Sequence, residues 1–119
     1  MEITKSQLIE IWELYCDRAQ DPDAFYYYNS DESQSYGLRI SDNISLTIDF
    51  DLSQNSHNII LMFSDVIRYK SFDITNEEYS TLMDMWERGD NKATIFQKDE
   101  KISKGLMELK KLLTQFQTT

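Results

Sequence analysis

YGLRISDNISLTIDFDLSQNSHNIILMFSDVIRYKSFDI, residues 36–74, is the stretch that decides the fold. At its centre Ile44, Leu46, Ile48 and Phe50 alternate with Ser45, Thr47, Asp49 and Asp51. A period of two is that of a strand with one dry and one wet face. Upstream, Tyr36, Leu38 and Ile40 alternate in the same way, and Asp42-Asn43 supplies a tight turn between the two runs. Downstream, after a polar loop from Ser53 to Asn58, Ile59 to Phe63 is apolar on both faces and reads as an interior strand or one at a subunit contact. Val66 to Phe72 follows as a last strand, whose Arg68 and Lys70 are expected to pair across the wet face with Asp49 and Asp51.

Working outward, the period changes to that of helices. Ile3-Thr4-Lys5-Ser6-Gln7-Leu8 carries a capping box (Thr4 with Gln7) and a hydrophobic staple (Ile3 onto Leu8). Leu8, Ile11, Trp12, Tyr15 and Ala19 then form one apolar stripe, and Asp21-Pro22-Asp23 ends the helix. Ala24 to Tyr28 is rich in aromatics and reads as a short strand, with Phe25 and Tyr27 inward and Tyr26 and Tyr28 outward. Beyond the sheet, Ile74-Thr75-Asn76-Glu77-Glu78-Tyr79 repeats the capping device and opens a helix with Gly89 as its C-terminal cap. A last helix is expected from about Asp99 to Phe116, on a seam of Ile102, Leu106, Leu109, Leu113 and Phe116. The sequence therefore predicts one α+β domain over 1–119, an antiparallel meander of four to five strands flanked by an N-terminal helix and two C-terminal helices.

Composition narrows the chemistry. One cysteine, Cys16, and one histidine, His57, leave no internal disulfide and no Cys/His set for structural zinc. Three glycines provide no phosphate-binding loop. His57 lies in a polar loop without a nucleophile beside it and reads as a surface histidine. Asp49 and Asp51 share a strand face where a cation would need further ligands, which the sequence does not supply, so no metal, cofactor or enzymatic activity is expected. Arg88-Gly89-Asp90 reads as a helix end rather than an adhesion tripeptide. The opening MEITKSQLIE lacks the basic and then apolar order of a signal peptide, and the longest apolar run is Ile59 to Phe63, so a cytoplasmic protein outside the membrane is expected.

Charge is the most informative quantity. The formal net charge is −9, and residues 1–60 carry 11 Asp/Glu against 3 Lys/Arg, whereas residues 61–119 carry 10 against 9. Such a field repels phosphate backbones and attracts basic proteins. Tyrosines beside carboxylates make a contact surface of large area and low entropic cost. The expected surface is Tyr26, Tyr28, Asp31, Glu32, Asp49 and Asp51. The expected function is a small acidic inhibitor, an immunity protein or antitoxin that occludes the active site of a basic toxin such as a nuclease, with no direct nucleic-acid binding. Two alternatives are a dimeric secretion chaperone, using Ile59–Phe63 and the last helix, and an acidic nucleic-acid mimic that blocks a nucleoprotein. Sequence leaves open whether the chain is a monomer or a homodimer.

Overall fold

The computed structural model describes residues 3–19, 21–64, 66–95, 111 and 113. Helix α1 (Lys5–Arg18) leads through a 3-10 turn at Pro22–Ala24 into five strands: β1 (Phe25–Asn29), β2 (Ser33–Arg39), β3 (Ile44–Asp51), β4 (Ser56–Phe63) and β5 (Ile67–Ile74). Helix α2 (Asn76–Ile95) follows. The strands pair antiparallel in chain order, a five-stranded meander, because every connection between them is short enough for a hairpin.

Register turns the period-two pattern into two faces. Phe25, Leu38, Leu46 and Leu61 lie opposite one another across the first four strands, as do Tyr36, Ile48, Ile59 and Phe72 across the last four. These rows meet the helices. Leu8, Ile11, Trp12 and Tyr15 of α1 and Leu82 of α2 are buried with them in one core. Three polar atoms of aromatic side chains fix the docking: Trp12 Nε1 donates to the Leu82 carbonyl at 2.9 Å, Tyr15 Oη to the Arg39 carbonyl at 2.7 Å, and Trp86 Nε1 to the Gly37 carbonyl at 3.0 Å. Large amphipathic rings thus bury their area while each polar tip finds an acceptor.

Both capping boxes form. Thr4 Oγ1 accepts from the Gln7 N–H and Gln7 Oε1 from the Thr4 N–H; Thr75 and Glu78 repeat the exchange at α2. The end of α2 differs from expectation. The helix runs through Gly89 to Ile95, so Gly89 is not its cap. The glycine serves a close approach instead: a Cβ there would stand 2.5 Å from the Cys16 carbonyl oxygen and 3.0 Å from the Phe25 ring. One helix follows the sheet among the described residues. The second C-terminal helix, from about Asp99 to Phe116, lies outside them apart from Lys111 and Leu113, both helical, with Leu113 buried in the core.

His57 is also placed differently. Instead of lying in a loop it is the second residue of β4, buried on the helix side, with its ring between those of Phe50 (4.5 Å) and Tyr79 (3.8 Å). The period-two rule explains this, since His57, Ile59, Leu61 and Phe63 share one side of the strand. Arg68 pairs with Asp49, at 3.9 Å, as expected. Lys70 does not join it, because a bulge between Leu61 and Met62 sets Lys70 opposite the core residue Leu61 and Arg68 opposite Met62.

Candidate functional site

The meander brings the six expected surface residues to one sheet face and the turn at its end. Tyr26 and Tyr28 on β1 and Asp49 and Asp51 on β3 project from the sheet face turned away from the two helices. Asp31 and Glu32 occupy the β1–β2 turn at the end of that face. This turn is tied to the β3–β4 turn by the Leu52 N–H, which donates to the Glu32 carbonyl at 2.9 Å. The two turns are therefore neighbours, and Asp31, Glu32 and Asp51 cluster at one end of the sheet.

Geometry then sorts the six. The Tyr26 ring lies across Gly37, whose missing side chain leaves the room; a Cβ on Gly37 would overlap the hydroxyl end of the ring. Its hydroxyl is 2.6 Å from Thr47 Oγ1 and the Arg39 guanidinium stands 5.7 Å from the ring centre. An aromatic laid over a cross-strand glycine stabilises the sheet itself. Asp49 is similarly occupied: Ser35 Oγ donates to it at 2.5 Å, Arg68 stands beside it, and its side chain is only 14% exposed. The middle of this face is closed, for Ser45, Thr47 and Ile60 are buried. Asp51 Oδ1 caps the β3–β4 turn, accepting from the Ser53 N–H and hydroxyl and from the Gln54 N–H. These donors, the Ser53 hydroxyl first, hold its carboxyl below the ordinary aspartate range.

Tyr28, Asp31 and Glu32 remain outward. Tyr28 is 62% exposed, Asp31 and Glu32 are exposed, and no ion pair among the described residues engages either acid. Two exposed neighbours lie outside the expected surface set, Tyr27 (49%) and Leu52 (43%). Tyr27 points to the helix side as expected. Yet β1 is an edge strand among the described residues, and the Tyr27 ring rests on Tyr36 at 4.9 Å, which in turn meets Trp86 edge-on at 5.3 Å. The inward period was legible in sequence, while the edge position of the strand was not.

Burial pushes the Cys16 thiol well above the ordinary range, with Asp17 adding to it, so the thiolate nucleophile is suppressed. Among the described residues no three His, Cys, Asp or Glu side chains are grouped to hold a metal ion. A shallow depression of about 270 Å³ between the helices is lined by Ile9, Glu13, Glu77, Glu78, Thr81 and Leu82, and the Thr81 hydroxyl there donates to the Glu77 carbonyl at 3.0 Å. No described helix is long and apolar enough to cross a membrane. Compared with known proteins, the chain matches no family model, no curated protein and no solved structure.

Proposed function

We propose that this protein is a small acidic inhibitor that binds a basic protein, most concretely an immunity protein or antitoxin that covers the active site of a basic toxin such as a nuclease. The observation that carries this reading is the meeting of Asp31, Glu32 and Asp51 at one end of the sheet beside exposed Tyr27, Tyr28 and Leu52. Carboxylates around an aromatic centre match a nucleic-acid-binding cleft, which is lined with Lys and Arg. Net charge of −9 adds long-range steering toward such a target. The test is capture of a partner from lysate of the native host at low and moderate salt, followed by assay of that partner's own activity. A single stoichiometric basic partner, silenced by an equimolar amount of this protein, is the expected result. Recovery of a basic partner with undiminished activity, or of none, would count against it.

A further inference from the structure

We infer that the free edge of β1 is a strand-docking site, which takes up an extended segment of the partner with an apolar, β-branched or aromatic centre and Lys or Arg at both ends. The inference rests on the reading of a basic protein partner and names how part of it is held.

Among the described residues β1 is paired on one side only, with β2. The Ser30 N–H donates to the Ser33 carbonyl at 2.8 Å, which makes these two a bonded pair. Bonded and non-bonded pairs alternate along an antiparallel ladder. With the observed register, Tyr28–Ser35 and Tyr26–Gly37 are then bonded pairs, and the N–H and C=O groups of Tyr27 and Asn29 point away from β2. The Phe25 N–H confirms the phase, since it is used by the Pro22 carbonyl and not by β2. Phe25 to Asn29 holds no charge, proline or bulge, the devices that discourage strand addition at an edge. Added strands gain affinity from main-chain hydrogen bonds and specificity from alternate side chains. Here Tyr27 offers a ring on the helix side and Tyr28 one on the other.

Charge selects the occupant. From Ala19 to Leu38 the chain has four acids, Asp21, Asp23, Asp31 and Glu32, and no Lys or Arg. One pair precedes β1 and the other follows it, so the neutral edge is bracketed by acids at both ends. A second copy of this chain fits poorly: antiparallel pairing centred on Tyr27 would set Asp23 of each copy opposite Asp31 of the other.

The test uses two synthetic peptides, KKVTVTVKK and EEVTVTVEE, with amide exchange followed residue by residue by NMR. The lysine-ended peptide at millimolar concentration is expected to slow exchange at Tyr27 and Asn29 by about tenfold or more, and the glutamate-ended peptide to leave both unchanged. Asn29→Pro removes an outward N–H that β2 does not use, so the sheet tolerates it; it is expected to weaken peptide binding about tenfold with the β3 and β4 amides still protected. No slowing at Tyr27 and Asn29, equal slowing by both peptides, unchanged binding to Asn29→Pro, or protection of this edge by self-association without peptide would each overturn the inference. The peptide result stands apart from partner capture. A captured and silenced basic partner with a negative peptide result would sink the docking edge alone, and the reverse outcome would sink the inhibitor reading alone.

Discussion

The two edges of the sheet are built on opposite principles. β5, the last strand, carries Arg68, Lys70 and Asp73 along its length and a bulge against β4, features that discourage another strand from pairing with it. β1 carries three tyrosines and an asparagine after Phe25, and its charges sit beyond its ends. The contrast extends beneath the strands. β1 rests on Phe25, Tyr36 and Trp86, which meet edge-on, and Trp86 also reaches the Gly37 carbonyl. At the β5 margin Val66 and Ile67 are exposed and Tyr69 stacks on Phe63 at the rim. One edge carries charges and a bulge; the other carries no charge and is backed by packed aromatic rings. On the proposed reading, an uncharged edge bracketed by acids and backed by packed rings would need little ordering to take up a partner strand.

The strongest way to break this contrast is to remove the support under β1. Trp86→Ala deletes two edge-to-face contacts and a hydrogen bond, and is expected to lower stability by about 3 kcal/mol in urea unfolding. Tyr69→Ala at the other margin is expected to cost less than about 1 kcal/mol. Equal costs would show that the two margins are supported alike. Gly89→Ala comes next. Its gain in helix propensity, about 1 kcal/mol, is outweighed by a methyl group driven against the Cys16 backbone, for a net loss of about 1–2 kcal/mol in the same measurement.

A third change abolishes the difference between the edges from the opposite side. Arg68→Thr with Lys70→Thr strips β5 of its cations, and sedimentation velocity is expected to show more self-association than in the parent chain. A variant that sediments as the parent does would mean that the bulge alone protects this edge. The smallest effect concerns acid stability away from both edges. The Lys5 ammonium, 2.8 Å from Glu78 Oε1, and then the Thr75 N–H hold the Glu78 carboxyl below the ordinary glutamate range. A depressed carboxyl contributes stability that is present above its unfolded value and lost as pH falls through its folded one. Glu78→Gln is therefore expected to be less stable than the parent by a few tenths of a kcal/mol at neutral pH, with the gap closing in acid. A gap that widens in acid would reverse the assignment.

Much of the fold was legible because local signals agreed with one another. The alternation of Ile44 to Asp51, the two capping boxes and the short polar connections all specify a meander between helices. What escaped the sequence depended on a partner far along the chain. Gly89 looks like a cap until Cys16 is placed behind it, and Lys70 looks like a neighbour of Arg68 until a bulge separates their rows. His57 was recoverable, since its spacing to Ile59 and Leu61 put it on the core side, but the polar run before it concealed the start of β4. Of the site, the acids and tyrosines were legible as residue types. That Tyr26 and Asp49 are occupied by the sheet itself, while Tyr28, Asp31 and Glu32 face outward, required knowing that Gly37 lies under Tyr26 and Ser35 beside Asp49.

The most direct test of the central claim is the association rate of the captured partner with the parent chain and with Asp31→Lys combined with Glu32→Lys, measured at rising ionic strength. Steering by the acidic sheet end requires that the double variant bind about tenfold more slowly at low salt and that the two rates converge as salt screens the field. Equal rates at low salt would contradict the account and remove this end of the sheet from the interface.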